Sequence, residues 1–107
     1  MDDKIKGFLE KANAGDAVAQ YNMGQYYMMD GNHEDAAEWW RKAAQQGLSA
    51  AQFNLALFYL NCDTGLSASE NILAATSWTK MAAKQGHEQA VALLADLESE
   101  TAKIVSG

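Results

Sequence analysis

Small and bulky apolar residues alternate with polar ones at helical spacing in six successive stretches. The first, residues 3–14, carries Ile5, Phe8, Leu9 and Ala12 on one stripe, and Gly15 supplies a stop. The second, 17–29, follows an Asp16 cap and aligns Ala19, Met23, Gly24 and Tyr27. Asp30-Gly31 is a turn signal, and Asn32 is placed to cap a third helix over 33–46 that buries Ala36, Ala43, Ala44 and one of Trp39 and Trp40. The fourth, 50–62, repeats the second with Ala51, Leu55, Ala56 and Tyr59, and Ser49 with Gln52 reads as a capping box at its start. The fifth ends at Gln85 and carries Ile72, Ala75, Trp78, Ala82 and Ala83. The sixth, 88–103, carries Ala90, Leu93, Leu94 and Leu97, and residues 104–107 are expected to fray.

These stretches are copies. The run Trp39-Trp40-Arg41-Lys42-Ala43-Ala44-Gln45-Gln46-Gly47 returns as Trp78-Thr79-Lys80-Met81-Ala82-Ala83-Lys84-Gln85-Gly86. A weaker copy opens the chain as Phe8-Leu9-Glu10-Lys11-Ala12-Asn13-Ala14-Gly15. Gly15, Gly47 and Gly86 are 32 and 39 residues apart, and so are Ala19, Ala51 and Ala90. A constant shift across each cassette marks repeated helix–turn–helix units. The second interval is longer by about two helical turns. Either the connecting loop at 63–66 is longer or the fifth helix begins up to two turns early; Ser67 three residues before Glu70 is a capping box and favours the early start. The expected product is an all-α, right-handed short solenoid of six antiparallel helices in one domain: a first helix at 3–14, repeats at 17–47 and 49–86, and a terminal helix at 88–103. The second, fourth and sixth helices form one type, here called inner, and the first, third and fifth the other, outer.

Proline is absent, which permits uninterrupted helices, and 107 residues suffice for one core. The net charge of −6 argues against nucleic acid and against anionic membrane surfaces, since neither phosphates nor lipid headgroups would be neutralised. Cys62 is the sole cysteine, the N-terminus lacks an apolar signal core, and no apolar run reaches the ~18 residues of a membrane span, so a cytoplasmic protein is expected. His33 and His87 have no third partner at metal-ligand spacing and read as capping or loop residues. No phosphate-binding loop, nucleophile elbow or zinc-protease motif is present. No cofactor, metal or catalytic residue is expected, and the chain is read as non-enzymatic.

The pattern Ala36-x-x-Trp39-Trp40-x-Lys42-Ala43-Ala44-x-x-Gly47-x-x-x-Ala51-Gln52 resembles the signature of the Sel1-like repeat, a relative of the tetratricopeptide repeat. Ala75-x-x-Trp78 through Gly86-His87-x-x-Ala90 is similar, as is Lys11-Ala12-x-Ala14-Gly15-Asp16-Ala17-x-Ala19-Gln20-Tyr21. The chain departs from the family in its short connection after Tyr27, its longer one after Tyr59, and Glu98 where earlier repeats have tyrosine. The resemblance implies an adaptor or scaffold acting through protein–protein contact, with a concave face lined by the inner helices.

In that geometry the inward positions are Tyr21, Gln25, Met28 and Met29 in the first repeat, Phe53, Leu57, Leu60 and Asn61 in the second, and Ala92, Asp96 and Ser99 in the third. Aromatic and Met side chains suit an interface core. Plain core packing is the competing reading for Tyr21, Phe53 and Leu57. The expected occupant is a peptide or a protein surface. A narrower alternative, resting on small size and acidity, is an immunity or antitoxin-type protein neutralising a basic toxin. The chain is expected to be monomeric or a weak homodimer through a terminal helix.

Overall fold

In the computed structural model, which describes residues 2–106, six helices follow in order: α1 (Asp3–Asn13), α2 (Ala17–Met29), α3 (His33–Gln45), α4 (Ser49–Asn61), α5 (Ala68–Lys84) and α6 (Glu88–Ser106). Side-chain oxygens start four of them. Asp2, Asp16 and Asn32 accept from the backbone N–H of Ile5, Ala19 and Asp35. Ser67 and Glu70 form the reciprocal capping box, and α5 begins about one turn early relative to α3, the rest of the extra length falling in the longer connection before it. The box expected at Ser49 does not form: Leu48 stands at the N-cap without a side-chain bond, and Ser49 is already helical. The Gln52 amide is drawn away by a tertiary partner described below. α6 runs on to Ser106 instead of fraying after Lys103.

The helix ends share one device. Gly47 at φ +97° turns the chain out of α3, its N–H reaching Ala44 O at 2.9 Å while Leu48 N–H reaches Ala43 O at 3.3 Å. The same pair of bonds recurs at Gly15, Gly31 and Gly86. These tight reversals set each helix antiparallel to the next, and each packs chiefly against its chain neighbours. The result is a helical-repeat solenoid with extents of 51 × 29 × 18 Å.

Alanine is what lets the rods nest. Ala36, Ala43, Ala44, Ala51, Ala56, Ala75, Ala82 and Ala90 are completely buried. The closest approach is at Gly24, where the Trp40 indole lies so near the α2 backbone that a Cβ would overlap its Cδ1 and Nε1. Trp40 is therefore the member of the tandem pair that enters the core, at 4% exposure. Trp39 is half-buried against the α1–α2 cluster of Ala12, Ala19 and Met23, with Lys42 Nζ 4.6 Å from its ring centroid. One repeat later the sizes are exchanged: Ala56 replaces Gly24 and the fully buried Thr79 replaces Trp40, its hydroxyl donating to Ala75 O at 2.7 Å. Ala95, expected to lie at a close helix approach like Gly24 and Ala56, is exposed because no described helix covers that side of α6.

Buried glutamines tie successive layers together. Gln20 Nε2 donates to Ala12 O, and Gln52 Nε2 to Ala44 O, each reaching back to the preceding helix. Gln46 then donates to Gln20 Oε1 at 2.8 Å, and Gln85 to Gln52 Oε1 at 3.0 Å. The relay repeats with the sequence, and each buried amide has both a donor and an acceptor role filled.

Candidate functional site

The inner helices α2 and α4 lie side by side, and between them runs an apolar depression of about 340 Å³. Gln25 and Met28 line it from α2; Asn54, Leu57, Phe58, Asn61 and Cys62 line it from α4 and its end; Trp40 borders it from α3. Asn54 Nδ2 donates to Gln25 Oε1 at 3.0 Å, bridging the two helices. Trp40 Nε1 is buried without an acceptor among the described residues, its edge pressed against Gly24.

Of the residues that sequence reasoning places on the concave face, Gln25, Met28, Leu57 and Asn61 meet around this depression. The others are dispersed. Tyr21 is half-buried against the central cluster of Leu55, Phe58 and Trp40. Phe53 stacks on His87, with ring centroids 4.7 Å apart and planes 27° from parallel. Leu60 packs against the cluster of Ala56, Ala75 and Leu97. Met29 is 89% exposed at the end of α2, and Asp96 is exposed on α6. His87 also caps α6, its Nδ1 accepting from Ala90 N–H at 3.2 Å.

Asn54, Phe58 and Cys62 escaped sequence reasoning. They sit at i+4 spacing along α4, one strip away from the inward stripe, and their spacing was the available signal. Trp40 reaches the depression only because Gly24 opens the way.

A second, larger and more polar hollow of about 640 Å³ lies where the start of α3 meets the end of α4 and the 63–66 loop. Glu34, Asp35, Glu38 and Asp63 line it together with Arg41. Arg41 donates to Glu38 Oε1 at 2.6 Å and to Tyr59 OH at 2.9 Å. Burial works against its charge, yet the bonds to Tyr59 and the nearby Glu38 carboxylate leave its pKa raised, so the guanidinium is a permanent cation. Among the described residues, no three His, Cys, Asp or Glu side chains gather as a metal site, and no helix is long and apolar enough to cross a membrane.

The pattern of the Sel1 repeat matches residues 17–48 and 49–87, each span an inner helix followed by the outer helix that packs on it. Two curated proteins are similar. An F-box protein of Arabidopsis thaliana, At1g70590, is 35% identical over 90 residues, covering 84% of this chain and 24% of its own length. Uncharacterized protein YibG of Escherichia coli (strain K12) is 28% identical over 98 residues, covering 91% of this chain and 64% of its own. The chain thus spans about a quarter of the first relative and less than two thirds of the second. Sel1 repeats are in general protein–protein interaction modules. With two matched repeats filling most of the six-helix array, the chain belongs to the Sel1 repeat family.

Proposed function

We propose that this protein is a non-enzymatic adaptor that grips a peptide or a protein surface in the trough between α2 and α4. The lining of that trough carries the reading. Met28, Leu57, Phe58 and Cys62 present apolar surface, while Gln25, Asn54 and Asn61 set amides beside it. Apolar surface with a few polar groups that fix orientation is the make-up of a recognition site. A depression of about 340 Å³ holds one or two side chains of a polypeptide, with the Asn61 amide and the groups that Gln25 and Asn54 leave over from their mutual bond placed to meet its backbone. The family's general role in protein contact supports the same reading.

Tyr21, Phe53 and Leu60 serve this function from behind. They brace the inner helices through the core and the His87 stack, which makes their truncation a poor test. Leu57 and Asn61 are the better probes, since Asn61 is exposed and its replacement leaves the core intact. Affinity capture from the source cell, comparing the unaltered chain with Leu57→Asp and Asn61→Arg, tests the proposal. A groove-bound partner is lost from both variants, with an affinity loss of about 2 kcal/mol or more, some 30-fold. Undiminished capture by both variants, at unchanged helicity, refutes it.

A further inference from the structure

The longer connection after α4 builds something that the other inter-helix turns lack. α1, α2, α3 and α5 each run into a glycine whose N–H, with that of the next residue, closes carbonyls of the last turn. α4 ends otherwise. Cys62 N–H reaches Phe58 O at 2.9 Å and the chain leaves extended, so the carbonyls of Tyr59, Leu60 and Asn61 accept no bond among the described residues. The negative end of a helix is thereby left open beside the 63–66 loop.

The larger hollow lies at that opening, and its charges do not balance. Arg41 is the only cation in the lining, and of the four carboxylates only Glu38 is ion-paired among the described residues. Glu34 and Asp35 stand in the first turn of α3, where a helix favours anions. Asp63 has no such reason to be there. It follows the negative end of α4, where a helix favours a cation, and its Oδ1 accepts only from Gly65 N–H at 3.2 Å.

The hollow and the α2–α4 trough are neighbours. Phe58 lines both, and Cys62 at the edge of the trough is followed in the chain by Asp63 in the hollow. We propose, resting on the reading of the trough as a recognition site, that the polypeptide held there carries an arginine within a few residues of its apolar anchor, and that this arginine enters the acidic hollow. The anchor meets an uncharged lining of apolar side chains and amides. The guanidinium meets the carboxylates of Glu34, Asp35 and Asp63 and the open end of α4. A volume of about 640 Å³ has room for the whole side chain. The planar guanidinium donates in several directions at once, which suits carboxylates that come from two different elements. Two unlike hollows side by side also fix the direction in which the partner lies across α4.

Fluorescence polarisation with three pools of labelled short peptides, otherwise made of alanine, serine and glycine, tests this on the full chain. One pool holds a leucine with an arginine near it on either side. The second replaces the arginine with citrulline, its uncharged isostere, and the third replaces the leucine with alanine. Each is titrated against the unaltered chain and against the double variant Glu34→Gln, Asp63→Asn, both exposed sites, with circular dichroism to check helicity. At low salt the arginine pool should bind about fivefold or more tighter than the citrulline pool. The double variant should erase that difference, and the alanine pool should bind weakly to both proteins. Equal binding of the arginine and citrulline pools, with the alanine pool weaker, would overturn this proposal and leave the trough reading standing, as would an arginine preference that persists in the double variant. Leucine and alanine pools that bind alike, or no binding by any pool, would overturn the trough reading and this proposal with it.

Discussion

Gly24 is the residue on which the packing of the first repeat turns. Its missing Cβ is the space into which the Trp40 indole fits. Gly24→Ala should lower stability by roughly 1–3 kcal/mol, because the ring has to leave a filled core or the helices have to part. Gly7 is the internal control: it lies in mid-helix with nothing within 4 Å of a Cβ. Gly7→Ala should raise stability by about 0.5–1 kcal/mol through helix propensity alone. Denaturant midpoints of the two variants should move in opposite directions; a shift of the same sign would show that the Trp40 contact does not control packing at Gly24. The recurrence of Gly24 and Ala56 made a close approach legible in the sequence. Which tryptophan used it was not legible, since neighbours on a helix are ~100° apart and only the facing helix chooses between them.

At the scale of the element, two serines with the same local pattern behave differently. Ser67 caps α5 and shares a reciprocal box with Glu70, whereas Ser49 lies inside α4 and caps nothing. Ser67→Ala should cost about 1 kcal/mol and Ser49→Ala no more than a few tenths, as read by urea unfolding. Equal losses would mean that the cap at Ser67 is idle. The pattern misled at Ser49 because Gln52 is engaged elsewhere, bonded to Ala44 O and accepting from Gln85. A pattern four residues long carries no information about a partner on another helix. Gln52→Leu keeps the volume but strands the Ala44 carbonyl, while the exposed Gln85 amide turns to water, and should cost about 1–3 kcal/mol. Little or no loss would show that water replaces the relay without penalty. Helix order, the early start of α5 and the two-repeat register were all readable, because spacing, caps and glycines are local signals. The extension of α6 to Ser106 was not, although Thr101 Oγ1 and Thr76 Oγ1 lie 3.1 Å apart and bind its later turns to α5.

For the whole molecule, each layer leans only on its neighbours, so stability should fall from the middle toward the ends. Native-state hydrogen exchange should find the slowest amides in α3 and α4, around Ala43, Leu55 and Ala56, and the fastest helical amides in α1 and the last turns of α6. Uniform protection would contradict the layered account. The lining of the α2–α4 trough was partly legible at this scale. The inward stripe included Gln25, Met28, Leu57 and Asn61, which line the trough, but also Tyr21, Phe53 and Leu60, which brace it. Helical periodicity gives a direction for each side chain, but depth depends on how far apart the rods stand, and that is set by residues such as Gly24 on the other faces.

The proposed grip of the α2–α4 trough on another polypeptide is tested most directly by placing a photoreactive amino acid at Asn61, on the trough, and in a second protein at Ser77, exposed on α5. Irradiation in the source cell should join a discrete polypeptide to position 61 and leave position 77 free of it. Equal cross-linking from both positions, or none from position 61, would contradict the account.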